Sequence, residues 1–305
     1  GLIRIKMKKL LIILLFTSFG IIAQTAGGSG MSFLKIGFGA RNIAMSDLGV
    51  IGVNDLTALN YNPALLSQFK LPQLMLTHSQ SIQDMSTQLV GASFELFGLP
   101  LAFGLNTTSI SDIEIRTKPG EPQSTFDANY LFGSLSTGFK LYENLSAGFT
   151  VKYLYENLFS DESTGWAFDL GLSYLDIIDG VDIGASIKNL GSVDKLRNEA
   201  AQLPTDARFG ISYSRPIESI KSDLSLIGGV QKYLETDDIH LHIGGEFFYD
   251  ELIAIRLGYM SDYESKGLTT GLGLYWEGIN FDYAFTPYSY GLGSSHTISL
   301  MYSFN

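Results

Sequence analysis

The chain has 305 residues, 45% of them apolar, 12% aromatic and 17% charged, with 33 glycines and no cysteine. That charge content is low against the ~25% usual in soluble domains, and the missing cysteine removes disulfide frameworks, thiolate metal sites, thiol nucleophiles and a lipid-bearing cysteine after an export signal. The formal net charge of −11, without any basic stripe, excludes a nucleic-acid partner, because nothing in the chain can neutralise a phosphate backbone.

In chain order, Met7 is followed by Lys8-Lys9, an apolar run from Leu10 to Phe16, the stretch Thr17 to Ile22, and then Ala23-Gln24-Thr25. A basic start, an apolar core too short to span a bilayer and a small residue at the cleavage point make a signal peptide. An anchoring transmembrane helix would need a longer run and a stop-transfer charge. Residues 1–24, upstream residues plus signal, are set aside from the fold. Beyond them no stretch of about 18 uninterrupted apolar residues occurs, so a membrane crossing by the mature chain must use strands.

Residues 25–70 do not alternate. Gly27-Gly28-Ser29-Gly30 reads as a flexible lead, and Ala40 to Leu48 predicts one short helix. Asn62-Pro63-Ala64-Leu65-Leu66 predicts a second, with Asn62 as cap and Pro63 in the first helical position. A compact helical piece ahead of a barrel suits a hatch or plug.

Residues 71–305 carry period-two alternation in segments of roughly ten residues, the pattern of strands that face lipid on one side and a lumen on the other. Trp166, Phe168, Leu170, Leu172 and Tyr174 fall on one face, with an amphipathic aromatic at each end of an aliphatic centre. Strands are expected at 71–81, 86–97, 100–110, 126–140, 144–157, 163–176, 180–190, 206–214, 222–233, 238–249, 252–261, 267–276, 279–286 and 294–304. The fold class is thus an all-β membrane barrel of about 14 antiparallel strands behind a short helical hatch. The longest connections, 111–125 and 191–205, fall on the extracellular side if the first strand leaves the periplasm. A β-sandwich or soluble barrel also alternates, but would more often turn polar residues outward.

The stretch Phe33-Leu34-Lys35-Ile36-Gly37-Phe38-Gly39-Ala40-Arg41-Asn42-Ile43-Ala44-Met45, followed by Asn60-Tyr61-Asn62-Pro63-Ala64, resembles the start of the PorV/PorQ family of FadL-like outer-membrane barrels. Lys188-Asn189-Leu190-Gly191, Arg256-Leu257-Gly258-Tyr259, Asp282-Tyr283-Ala284-Phe285 and His296-Thr297-Ile298-Ser299-Leu300 extend the resemblance along the mature chain. It implies a fourteen-stranded barrel with an N-terminal hatch, multi-pass in the outer membrane of a Gram-negative bacterium after signal removal. It also implies a non-enzymatic accessory role in type IX protein secretion. The hatch motif consists of Phe33, Gly37, Gly39, Ala40, Arg41, Met45, Asn60, Asn62, Pro63 and Ala64. Partners would be outer-membrane lipid and either secretion-system proteins or exported cargo.

Weighed singly, other constellations point away from chemistry. His240 and His242 share one strand face and could ligate a metal, but without a third ligand they read as lumen polar residues. His78 and His296 are isolated. Asp161-Glu162 and Asp237-Asp238 read as solvated loop charge rather than a Ca²⁺ site. No nucleophile elbow, zinc-protease or phosphate-loop motif occurs, so no catalytic residue, cofactor or metal is expected. Lys152, Glu156, Asp169, Asp182, Lys188, Glu246, Arg256 and Asp282 fall on the lumen side, where Arg41 of the hatch is a partner for a wall carboxylate. The alternative function is a FadL-like transporter of hydrophobic small molecules, which would want an apolar interior.

Overall fold

The computed structural model describes residues 30–68, 72–116, 118–195, 202–236 and 238–304. The expected signal peptide, Gly27 to Ser29, Leu71, Asp237 and Asn305 lie outside the described residues. Fourteen strands form one closed antiparallel barrel in which each pairs with its chain neighbours and β1 closes on β14. They are β1 (Gln73–Gln80), β2 (Met85–Leu96), β3 (Leu99–Ile115), β4 (Ser124–Lys140), β5 (Leu145–Leu158), β6 (Asp161–Ile178), β7 (Val181–Val193), β8 (Asp206–Ile217), β9 (Ser222–Tyr233), β10 (Ile239–Tyr249), β11 (Ile253–Met260), β12 (Leu268–Trp276), β13 (Ile279–Tyr288) and β14 (Gly293–Ser303). Every expected strand is present. Closure follows from the solvent: hydrocarbon offers nothing to a backbone N–H or C=O, so all must pair between strands and no edge can remain. Alternation then sorts the side chains. On β10 and β11, Leu241, Ile243, Ile255 and Leu257 stand outward, each more than half exposed, while His242, Glu246 and Arg256 are buried inward.

The expected loop at 111–125 is a correction. β3 and β4 run on past it, pairing Ile113 with Phe126 and Ile115 with Ser124, and only 116–123 connects them. A bulge between Ile110 and Ile113, with Asp112 at φ 58°, absorbs the polar Ser111-Asp112 pair that masked the alternation. The wall therefore has uneven height. β3 and β4 have 17 residues each and β11 has eight. The end with short connections, such as Phe97-Gly98 and Glu277-Gly278, is termed the turn end; the opposite is the loop end.

The N-terminal segment lies inside the wall. It comprises a 3-10 turn (Ser32–Lys35), α1 (Ala40–Ala44), α2 (Ala58–Tyr61) and a second 3-10 turn (Pro63–Gln68). The expected helix from Ala40 to Leu48 is thus halved. After Ala44 the chain leaves helical geometry, and Ser46 and Asp47 adopt φ 69° and 57°. The Thr269 hydroxyl of β12 accounts for the stop, donating to the Ala44 carbonyl (3.0 Å) and accepting from the Ser46 N–H (3.2 Å). Near the loop end Phe33 stacks on Tyr130 at 4.9 Å, and near the turn end Ser67 bonds Ser146, so the segment traverses the lumen.

What admits a backbone here is glycine. Each strand from β2 to β12 turns one inward at the segment: Gly91, Gly104, Gly138, Gly148, Gly171, Gly184, Gly210, Gly229, Gly244, Gly258 and Gly271. Many sit side by side across the ladder, as Gly138, Gly148 and Gly171 do. A Cβ on Gly148 would lie 2.2 Å from the Pro63 carbonyl carbon, and one on Gly171 2.0 Å from the Asn62 side-chain oxygen. By contrast, a Cβ on the outward Gly133 would meet nothing within 4 Å. Gly148→Ala should therefore destabilise the barrel by about 1–3 kcal/mol through overpacking, and Gly133→Ala by less than about 0.5 kcal/mol. The temperature at which each variant loses its heat-modifiable electrophoretic mobility measures the difference, and equal temperatures would contradict the close approach.

Candidate functional site

Three buried charge networks fix the segment and the wall around it. In the first, Arg41 of α1 forms a two-pronged pair with Glu246 of β10, Nη2 to Oε1 at 2.8 Å and Nε to Oε2 at 3.0 Å, and donates from Nη1 to the Gly52 carbonyl. Burial opposes the guanidinium charge, but the Glu246 carboxylate more than offsets this and holds the Arg41 pKa above its ordinary value. Glu246 also accepts from Arg256 of β11 (2.5 Å), which donates onward to Asp282 and to the Tyr275 hydroxyl, both at 2.6 Å. Two cations and two anions balance.

The second network was only partly visible in sequence. Asp206 and Arg208, two residues apart at the start of β8, pair at 2.8 Å, and Gln231 donates to the same carboxylate. Arg208 then reaches the segment, donating to the backbone carbonyls of Asp47 (2.5 Å) and Leu48 (2.9 Å). The Asp47 carboxylate accepts from the Tyr61 hydroxyl, which in turn accepts from the Phe38 N–H at 2.7 Å. Burial first, and the Asp47 charge second, raise the Tyr61 pKa well above the ordinary tyrosine value, so the phenol remains a donor. Asp206, Arg208 and Asp47 were not singled out in sequence. The inward parity of Asp206 and Arg208 on a strand was the available signal.

In the third network, a bulge between β6 and β7 turns the consecutive Lys188 and Asn189 both inward, Asn189 at φ 59°. Lys152 pairs with Asp169 at 2.6 Å and donates to the Asn189 side chain, whose backbone N–H donates to Asp169.

The motif residues occupy distinct stations. Phe33 packs on Tyr130 and Phe132. Gly37 leaves room for the Asp47 carboxylate, and Gly39, at φ 75°, for the Thr57 methyl. Ala40 donates its N–H to Ser299 of β14 at 2.9 Å. Met45 lies against Gly244 and Gly258. Asn60 is buried on α2. Asn62 donates to the carbonyls of Val50 (2.7 Å) and Leu172 (3.0 Å) and accepts from the Ala64 N–H, while Pro63 and Ala64 press on the Gly148 backbone. Arg41 alone of these takes part in a charge network.

His240 stacks on Tyr263 at 3.7 Å, and His242 donates from Nδ1 to the Ser46 carbonyl. Among the described residues no group of three or more histidines and carboxylates is placed to hold a metal. Asp161 and Glu162 open β6, with Asn157 donating to Glu162.

Cavities lie on both sides of the segment. Toward the loop end, one of about 150 Å³ is bounded by Ile36, Ile43, Asp47, Met85, Met260 and Lys266, among others. Toward the turn end, one of about 500 Å³ is bounded by Ile51, Val53, Leu65, Leu175, Phe248 and the Arg41–Glu246 pair, among others.

No family model matches the chain, and no curated protein matches it. Solved structures do. The Pseudomonas putida toluene transporter TodX superposes with a TM-score of 0.59 at 14% identity over 88% of this chain and 97% of its own. The monoaromatic hydrocarbon channel CymD superposes with a TM-score of 0.61 at 12% identity over 91% and 99%. A Pseudomonas aeruginosa FadL homologue superposes with a TM-score of 0.55 at 10% identity over 87% and 98%. The chain therefore has the FadL-like outer-membrane barrel fold.

Removing Glu246 deprives Arg41 of its carboxylate and Arg256 of one of two, whereas removing Arg41 leaves Glu246 paired. Glu246→Gln should cost on the order of 3–5 kcal/mol and Arg41→Met distinctly less. Unfolding of the two variants in detergent checks the order, and an Arg41→Met barrel that unfolds first would contradict it.

Proposed function

We propose that the chain is an outer-membrane channel of a Gram-negative bacterium that passes small hydrophobic molecules, with residues 25–70 as hatch and 71–305 as barrel. The loop end then faces the exterior and the turn end the periplasm, as the lengths of the connections favour. One observation carries the reading: one short run of the segment borders both cavities. Ile43 and Asp47 border the outer one, and Ile51, Gly52 and Val53 the inner one. In the channel reading, displacement of this run joins them, with no strand of the wall disturbed. The likeness in fold to barrels described as a toluene transporter and as a monoaromatic hydrocarbon channel supports the same reading. In it the protein carries out no covalent chemistry.

A second reading, an accessory barrel of type IX secretion, is the one that the PorV/PorQ resemblance implies. It is favoured by the charged interior, where Glu246 and Arg208 both pin the segment. There the hatch stays shut, and the loop end engages cargo or other secretion proteins.

Uptake of radiolabelled toluene by cells lacking the protein, compared with the same cells restored for it, separates the two. The channel predicts a several-fold higher initial rate in the restored cells. Equal rates would overturn it, and recovery of a translocon or sorting-domain cargo in a mild-detergent pull-down would then support the secretion role.

A further inference from the structure

The loop-end cavity contains something that passage of a hydrocarbon does not require. Lys35, closing the first 3-10 turn, holds its ammonium 4.5 Å from the Tyr233 ring centroid, and Lys266, in the β11–β12 loop, holds its own 4.6 Å from that of Tyr263. Both border the cavity. Elsewhere in the lumen the cations meet carboxylates: Arg41 and Arg256 at Glu246, Lys152 at Asp169, Arg208 and, at 4.0 Å, Lys188 at Asp206. Among the described residues neither Lys35 nor Lys266 has a carboxylate within ion-pair distance. Asp47 borders the same cavity, but its carboxylate is engaged by Tyr61 and lies against Gly37. Two ammonium groups against one committed carboxylate leave the cavity with an excess of positive charge.

The remaining lining is mixed. Ser81, Thr286, Tyr288 and Ser295 offer hydroxyls, and Met85 and Met260 offer soft apolar surface. Burial lowers the Lys266 pKa from the ordinary lysine value, with nearby Arg208 acting in the same direction and Asp47 against it. A bound anion would reverse that penalty. A volume of about 150 Å³ suits a molecule the size of a benzene ring rather than a long chain.

We propose that the loop-end cavity binds a compact organic monoanion, its carboxylate engaged by Lys35 and Lys266 and its small apolar body lying against Met85, Met260 and Ile43. This rests on the channel reading only in placing the cavity on the path of the solute, and it adds small organic acids to the solutes that the channel takes.

The test uses the purified full-length barrel in detergent, with 4-fluorobenzoate and its neutral counterpart 4-fluorotoluene as probes, followed by fluorine NMR and equilibrium dialysis. Fluorobenzoate should bind saturably and at least tenfold more tightly than fluorotoluene. Lys35→Gln combined with Lys266→Gln should weaken it at least tenfold, while Lys221→Gln, at the exposed turn end, should leave it unchanged. Tighter or equal binding of fluorotoluene, no binding of either probe, or anion binding that survives the double substitution would each overturn the proposal. The comparison of probes on the unaltered protein needs no variant to fold. Toluene uptake without anion binding would sink this inference and spare the channel, whereas anion binding without uptake would do the reverse.

Discussion

Backbone meeting backbone across the lumen is the constraint on which the structure turns. Eight strands close around a space that side chains can fill, and sixteen or more leave a water channel. Fourteen strands fall between, and here the chain fills the gap with its own N-terminal segment. A wall of ordinary inward side chains would leave that segment no room. One glycine per strand from β2 to β12 provides it, at the level where Leu48, Val50, Pro63 and Met45 pass. Having been brought so close, the segment's polar groups need partners, and the wall supplies them. Ser299 takes the Ala40 N–H, Thr269 serves both Ala44 and Ser46, and Arg208 takes two carbonyls.

The charge networks have a different role from the glycines. Buried ion pairs add little net stability over apolar packing of the same shape, but stranding one partner is costly. A segment seated out of place would cost Glu246 one of its two guanidinium partners and Arg208 both of its segment carbonyls, so these contacts select one seating among the many that a glycine-lined tube would tolerate. That selectivity also bears on motion. The run from Ile43 to Val53 is itself held by Arg208 at Asp47 and Leu48, by Asn62 at Val50 and by Arg41 at Gly52, so its displacement has to break these bonds.

Much of the wall was legible because lipid on one side and a filled lumen on the other impose opposite polarity on alternate residues. Each strand was identifiable, and Lys152, Asp169, Glu246, Arg256 and Asp282 were placed inward by parity alone. The β3–β4 extension was not, since a bulge at Ser111-Asp112 interrupts the period. The interior was harder to read. Whether Ala40 to Leu48 continues as a helix depends on Thr269, more than two hundred residues away, and no local pattern reports it. The inward glycines were visible as composition but not as a girdle, because their alignment is a property of strand register. The pairing of Arg41 with Glu246 was accessible only as a type of partner, and the cavity with Lys35 and Lys266 was not accessible at all, since it joins one end of the segment to a loop near the other end of the chain.

The uneven wall gives the mouth a direction. β3 overshoots β2, whose Met85 is level with Ile110, by five residues, or about 17 Å of strand. The wall residues bordering the loop-end cavity come from shorter strands, from β2 beside β3 round to β11: Ser81 and Met85 at the β1–β2 hairpin, Met260 and Lys266 at β11–β12, Tyr288 and Ser295 at β13–β14. The rim is therefore cut obliquely, like the end of a quill. On the channel reading, a molecule arriving from directly above meets the tall β3–β4 hairpin, while one drifting sideways among the lipid headgroups reaches the low lip and the cavity behind it.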